Sequence, residues 1–330
     1  MEYRSLGRTG AQVSVWCLGV MTFGWKTEPD EAGRVVDRFL EDGGNFIDTA
    51  NVYGRGKSET ILGNILKDGG KRDRVFLATK AHGKMDDADP NAWGNTRINL
   101  IKACEDSLRR LQTDHIDLYQ IHRPQSAVPI DETLRALDDL VRAGKVRYIG
   151  TSTYAAYQVV ESLWASEKLG LNRFVSEQPP YHILDRRIER ELLPMARTYG
   201  IGIIPWSPLA GGKLTGKYRQ GEARPENSRE DPEKFTPGTW RVLDGLAALA
   251  AEKGTTMTAL ALAWVAAQPG VTSPIIGPNS VAQLNDNLAG SDVTLTDDDR
   301  KRIDELVPPG TNAEGQNYYN ADFGPNARWS

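Results

Sequence analysis

Four side chains in the first part of the chain could together deliver a proton to an oxygen that is gaining negative charge: Asp48, Tyr53, Lys80 and His122. A phenol with a pKa of about 10 is a poor donor unless a nearby cation eases its ionisation. Lys80 is such a cation. An ammonium taken out of water needs a counter-charge, which Asp48 supplies, and the His122 imidazole can orient and polarise a carbonyl oxygen. Hydride addition to a carbonyl creates that demand for a proton. Each residue has an ordinary structural use taken singly, so the argument rests on the set and on what brings it together.

The positioning elements follow from the hydrophobic pattern. Compact apolar runs alternate with longer helical periodicities, the signature of a parallel sheet. Strands are expected at Cys17 to Gly19, Asn45 to Asp48, Val75 to Lys80, Ile116 to Ile121, Val146 to Gly150, Val175 to Gln178, Gly202 to Trp206 and Ser273 to Gly277. Helices are expected at Asp30 to Glu41, Lys57 to Leu66, Asn95 to Leu111, Asp131 to Arg142, Ala155 to Lys168, Arg187 to Tyr199, Thr258 to Gln268 and Val281 to Leu288. A hairpin from Tyr3 to Trp16 precedes them, with Gly7 to Gly10 as its turn. The pattern predicts one α/β domain over 1–330, a (β/α)8 TIM barrel with an N-terminal β-hairpin and long loops on its C-terminal face. In such a barrel the strand C-termini face the active site, which is where Asp48, Lys80 and His122 fall, with Tyr53 in the following loop. Ser207 to Gly238 and the tail 308–330 break the rhythm and read as binding loops or disorder, with Tyr318, Tyr319, Phe323 and Trp329 favouring a binding loop in the tail.

Composition narrows the function. A formal charge of -4 over 330 residues argues against a nucleic-acid partner, whose affinity would need a basic face. The N-terminus carries charge where a leader would need an apolar run, and no stretch approaches the ~18 apolar residues of a membrane span. These features predict a cytoplasmic protein acting on a small molecule. Cys17 and Cys104 are too few for a disulfide framework. His82, His115, His122 and His182 show no metal-ligand spacing, so no metal is expected. Gly150 to Tyr154 approaches a nucleophile elbow, but Tyr154 stands where a glycine is needed.

The runs Asn45-Phe-Ile-Asp48-Thr-Ala-Asn-Val-Tyr53-Gly, Gly56-Lys-Ser-Glu59, Thr79-Lys80, Ile121-His122-Arg-Pro124 and Trp206-Ser-Pro-Leu-Ala-Gly-Gly212 occur in order, and the chain resembles the aldo-keto reductase superfamily over nearly its whole length. Leu62 to Ile65, Gly150 to Ser152, Tyr181-His182 and Trp206 resemble the branch that includes the voltage-gated potassium channel β-subunits. The channel subunits carry asparagine at the position of His122, and their branch forms tetramers. The resemblance therefore implies a carbonyl reductase that keeps its enzyme-like histidine, with homo-oligomerisation as an expectation. The alternative is a non-catalytic subunit that holds the dinucleotide and senses redox state.

Gly200-Ile-Gly202-Ile-Ile-Pro205 breaks off before a third glycine, so a Rossmann fingerprint is absent. The resemblance implies NADPH or NADP+ extended across the barrel mouth instead. It assigns Gly19, Val20, Met21 and Asp48 to the ribose and nicotinamide side, Ser152 and Gln178 to the carboxamide, and the Trp206 ring to the nicotinamide face; Thr153, also counted on the cofactor side, departs from the asparagine or arginine that relatives often show there. Ser207, Pro208, Leu209, Ala210 and Gly211 would wrap the pyrophosphate. Gln283, Asp286 and Asn287 would meet the adenosine. Many relatives place an arginine two residues after Gly277, where this chain has Asn279, so the 2′-phosphate falls to Lys217 and Arg229, beside Asn227. For the substrate pocket, Trp25, Trp93, Arg123 and Tyr181 join Tyr53, His122 and the tail aromatics, implying a roomy aromatic site for a ring-bearing carbonyl compound.

Overall fold

The computed structural model describes residues 1–226 and 228–313. The chain opens on β1 (Tyr3–Ser5) and β2 (Gln12–Ser14), an antiparallel pair in the register Tyr3 to Ser14. Leu6 and Val13 are fully buried. They are buried because the hairpin lies across one end of a barrel, where the Arg8 N–H donates to Gly200 O at 2.9 Å.

Eight parallel strands form that barrel: β3 (Cys17–Gly19), β4 (Phe46–Asp48), β5 (Phe76–Ala81), β6 (Ile116–Ile121), β7 (Val146–Ser152), β8 (Phe174–Gln178), β9 (Gly202–Ile203) and β10 (Ile275–Ile276). They follow one another around the sheet, with β10 beside β3. Hydrogen bonds from Thr272 N–H to Ile203 O and from Ile275 N–H to Pro205 O, each 2.8 Å, carry the ladder from β9 to β10 and close the ring. β9 and β10 are shorter than the apolar runs suggest. Pro205 and Pro274 interrupt those runs and have no N–H to give a ladder.

The helices pack outside. α1 (Pro29–Glu41), α2 (Lys57–Lys67), α3 (Arg97–Leu111), α4 (Ile130–Arg142), α5 (Ala156–Leu169), α6 (Leu192–Tyr199), α8 (Met257–Ala266) and α9 (Val281–Leu288) lie where periodicity puts helices. α4 shows why: Leu134, Leu137 and Leu140 bury one stripe, while Asp131 and Glu132 in the first turn and Arg142 in the last complement the helix dipole. Two helices were not expected, α7 (Pro237–Glu252) and α10 (Asp297–Leu306). The helix expected from Arg187 is also broken. A single 3-10 turn (Arg187–Glu189) precedes α6, because Arg186 is held by Glu189 at 2.8 Å and by Val307 O at 2.7 Å, which anchors this segment to the end of α10.

Inside the ring the side chains form layers. Next to the hairpin, Cys17, Phe46, Ala78, Leu118, Val175 and Ile204 cluster with Leu6 and Val13 in an apolar plug. One step further along the same strands, the interior turns polar.

Candidate active site

β4 ends on Asp48 and β5 carries Lys80, and both side chains point inward from neighbouring strands. Lys80 is fully buried and Asp48 is 2% exposed. The Lys80 ammonium donates to Asp48 Oδ1 at 2.5 Å and to Thr49 O at 2.8 Å, and lies 3.4 Å from Tyr53 Oη. The second oxygen, Asp48 Oδ2, accepts from Gln120 Nε2 and Gln178 Nε2, each at 3.0 Å. Burial pulls the Lys80 ammonium down, but the Asp48 carboxylate and Tyr53 act more strongly together, and its pKa is raised.

Tyr53 enters from the loop after β4, which turns through left-handed conformations at Gly54 and Arg55 before α2 begins. Its ring meets His122 edge to face, with centroids 5.7 Å apart. Burial, followed by the Lys80 and Arg123 charges, holds the His122 imidazole well below the usual histidine range. It is therefore a neutral hydrogen-bonding group at physiological pH.

A cavity of about 660 Å³ extends from these residues across the barrel mouth. Of the residues singled out from sequence, Gly19, Met21, Asp48, Tyr53, His122, Arg123, Ser152, Gln178, Trp206, Ser207, Pro208, Leu209, Gly211, Lys217, Arg229, Gly277, Asn279, Gln283, Asp286 and Asn287 line it. Several are already engaged. Ser152 Oγ donates to Gln178 O at 2.9 Å, Asn279 N–H to Gln283 Oε1 at 2.8 Å, and Thr256 Oγ1 to Asp286 Oδ1 at 2.8 Å. In the loop after β9, Ser207 and Ala210 adopt left-handed conformations at φ 55° and 50°. The N–H groups of Ala210 and Gly212 turn inward to Ser207 O and Leu209 O. Gly212 has φ 102°, and a Cβ there would come within 3.2 Å of Lys217 Nζ.

Other expected residues lie off the lining. Val20 is fully buried, its carbonyl accepting from Ser58 Oγ at 2.7 Å, and Ala210 is buried behind its loop. Thr153 Oγ1 accepts from Arg123 Nη1 at 2.7 Å. Trp25 is exposed at the rim, with the Arg229 guanidinium 5.5 Å over its ring. Two more substrate-pocket candidates lie off the cavity lining. Tyr181 is fully buried against Trp264 and donates to Glu189 at 2.5 Å, so its ring belongs to the core. Trp93 is exposed and meets the edge of His82. Tyr318, Tyr319, Phe323 and Trp329, like Asn227, lie outside the described residues.

Sequence reasoning missed Thr22, Lys26, Gly212, Thr215, Thr258, Ile275 and Ile276 on the lining. Lys26 matters most. Together with Lys217 and Arg229 it makes a cationic end to the cavity, and none of the three has a carboxylate within 4.0 Å among the described residues. Burial, then the Lys26 charge, pull Lys217 down, and Glu230 opposes them. Its signal was available, a lysine directly after Trp25 in the loop following the first barrel strand.

The cavity, with its buried ionic floor and cationic end, opens at the C-terminal mouth of an eight-stranded barrel. The Aldo/keto reductase family model matches residues 16–308, and the chain belongs to that family. It is 40% identical over 328 residues to an uncharacterised oxidoreductase of Bacillus subtilis, YrpG, covering 94% of this chain and 97% of that one. A probable voltage-gated potassium channel subunit beta of Oryza sativa is 35% identical over 93% of this chain and 97% of its own. The aldo-keto reductase dtxS3 of Metarhizium robertsii is also 35% identical, over 94% and 92%. No helix among the described residues is long and apolar enough to cross a membrane.

Proposed function

We propose that the protein reduces the carbonyl group of an aldehyde or ketone to an alcohol with NADPH, and that Tyr53 donates the proton. The observation that supports this reading is the buried Lys80–Asp48 pair set against the Tyr53 phenol, beside a neutral His122. The nicotinamide, when bound, supplies a hydride. A carbonyl oxygen accepting hydrogen bonds from Tyr53 and His122 gains negative charge as its carbon is reduced, and Tyr53 transfers its proton to that oxygen. Lys80 then stabilises the phenolate left behind, and Asp48 with Thr49 O keeps the ammonium in place.

The cavity suits a phosphorylated dinucleotide. Among the described residues, Lys26, Lys217 and Arg229 have no carboxylate partner and the buried Asn279 Oδ1 has no hydrogen-bond partner. A 2′-phosphate would answer that charge, which favours NADPH over NADH. Trp206 would present its ring face to the nicotinamide.

The test is NADPH and NADH oxidation in parallel, followed by stopped-flow over a panel of aldehydes, with wild type and Tyr53→Phe. The variant should lose about 10²- to 10⁴-fold in turnover while still binding NADPH. Retained turnover would remove Tyr53 from its role. No oxidation by wild type with any aldehyde would instead favour a non-catalytic, dinucleotide-holding subunit.

A further inference from the structure

The proposed chemistry leaves one cation on the cavity wall unused. Arg123 follows His122 directly, is half-buried and lines the cavity near Tyr53. Its Nη1 donates to His122 O at 2.9 Å and to Thr153 Oγ1 at 2.7 Å, and both acceptors are neutral. The edge formed by Nε and Nη2 has no hydrogen-bond partner among the described residues, and no carboxylate among them comes within 4.0 Å of the guanidinium. A partly desolvated charge in that condition is costly until an anion joins it.

The surroundings keep the edge open. Thr153, which holds Nη1, sits at φ 63°, a left-handed conformation in which a β-branched residue is strained. Its N–H donates to Gln178 O at 3.2 Å, so the strained turn is pinned to β8 and fixes the guanidinium in place. Of the ionisable groups acting on Arg123, Glu177 is the one carboxyl. It is fully buried and already accepts from Thr151 Oγ1 at 2.5 Å and the Tyr154 N–H at 3.1 Å. Burial pushes Glu177 up to about 8, so it is mostly uncharged at neutral pH. The nearby His122 and His82 imidazoles, both pulled down by burial, are neutral as well. Among the described residues, no carboxylate lies at ion-pair distance to cancel the charge.

We infer that Arg123 sets substrate specificity, receiving through Nε and Nη2 the carboxylate of a substrate whose carbonyl lies at Tyr53 and His122. The substrate class is then an aldehyde or ketone with a carboxylate a few bonds from the carbonyl, and the planar fork suits that group better than a point charge would. This rests on the carbonyl-reductase reading.

The experiment compares benzaldehyde with 2-, 3- and 4-carboxybenzaldehyde under NADPH, in wild type and Arg123→Met. A charge-assisted pair should make at least one carboxylated isomer better in kcat/KM by about 10- to 100-fold, carried by KM, and Arg123→Met should collapse that ratio. The wild-type preference needs no variant, so it stands even if the substitution unfolds the protein. Calorimetric titration of benzoate into the NADP+-loaded protein is the second arm, with binding expected in wild type and lost in Arg123→Met. Equal use of all four aldehydes, or an equal loss on all four in the variant, would overturn the inference and leave the reductase reading intact. Turnover of none of them would count against the reductase reading alone, because benzoate binding still decides for or against the anion site.

Discussion

Along β4, β5 and β6, Phe46, Ala78 and Leu118 lie in the lower barrel layer, and Asp48, Lys80 and Gln120 lie two residues further on, a rise of about 6.6 Å. The lower layer is apolar and sealed by Leu6 from the hairpin. The upper one is as thoroughly buried, yet holds an ion pair and two amides. Burying Lys80 and Asp48 costs several kcal/mol per ion, and their attraction at best repays it. The lower layer therefore stabilises the barrel and the upper layer draws on that stability to keep a cation beside Tyr53. Even Cys17 follows the division. Burial, then the Asp48 charge, push its thiol well up, so it remains a protonated filler below the ionic floor.

The largest effect that would test this contrast is Lys80→Met. Removing the ammonium strands the Asp48 carboxylate, and about 3–5 kcal/mol of stability should go with it, together with about 10²–10³ in kcat. Adding Asp48→Asn should recover most of the stability in chemical denaturation and none of the turnover. If the double variant regained activity, the ionic floor would have no catalytic part. In the lower layer, Leu118→Ala should cost about 2–5 kcal/mol through lost burial and a residual cavity, with kcat of the folded fraction kept. A fall in kcat comparable to its stability loss would mean that the layers are not separable.

The smallest effect probes a carboxyl group on the opposite face of β8 from Gln178. Glu177 is fully buried with its carboxyl raised to about 8, so the folded protein keeps a proton that the unfolded chain releases at lower pH. Stability should then fall as pH rises from about 4.5 towards 8. Glu177→Gln should remove that slope, gaining on the order of 1–3 kcal/mol over wild type at pH 8 relative to pH 5. Parallel denaturation curves at the two pH values would show that the cost of buried charge is confined to the upper layer.

The barrel strands were legible because short apolar runs separated by helical periods have few other solutions, and Asp48, Lys80 and His122 could be placed from the strand ends alone. The misses have separate causes. α10 begins Asp297-Asp298-Asp299-Arg300 and buries only Asp299 and Ile303, so its apolar face is too thin to register, although Thr296 caps it. α7 has a helical stripe in Val242, Leu243, Leu246, Leu249 and Ala250, but it stands outside the strand–helix alternation that organised the reading. Tyr181 was misplaced because an aromatic near a strand end reads the same whether it faces the cavity or the core. Only the Glu189 carboxylate and Trp264 decide, and neither is close in sequence to a strand end.

The hairpin that stoppers the barrel also controls the medium in which the ionic floor works. With Leu6 and Val13 filling the lower end, bulk water approaches Asp48, Lys80 and Tyr53 from the cavity side. Molecules that fill the cavity therefore displace the solvent that screens those charges. The effective dielectric around Lys80 falls as the site loads, and its hold on charge at Tyr53 strengthens when a substrate is there to use it.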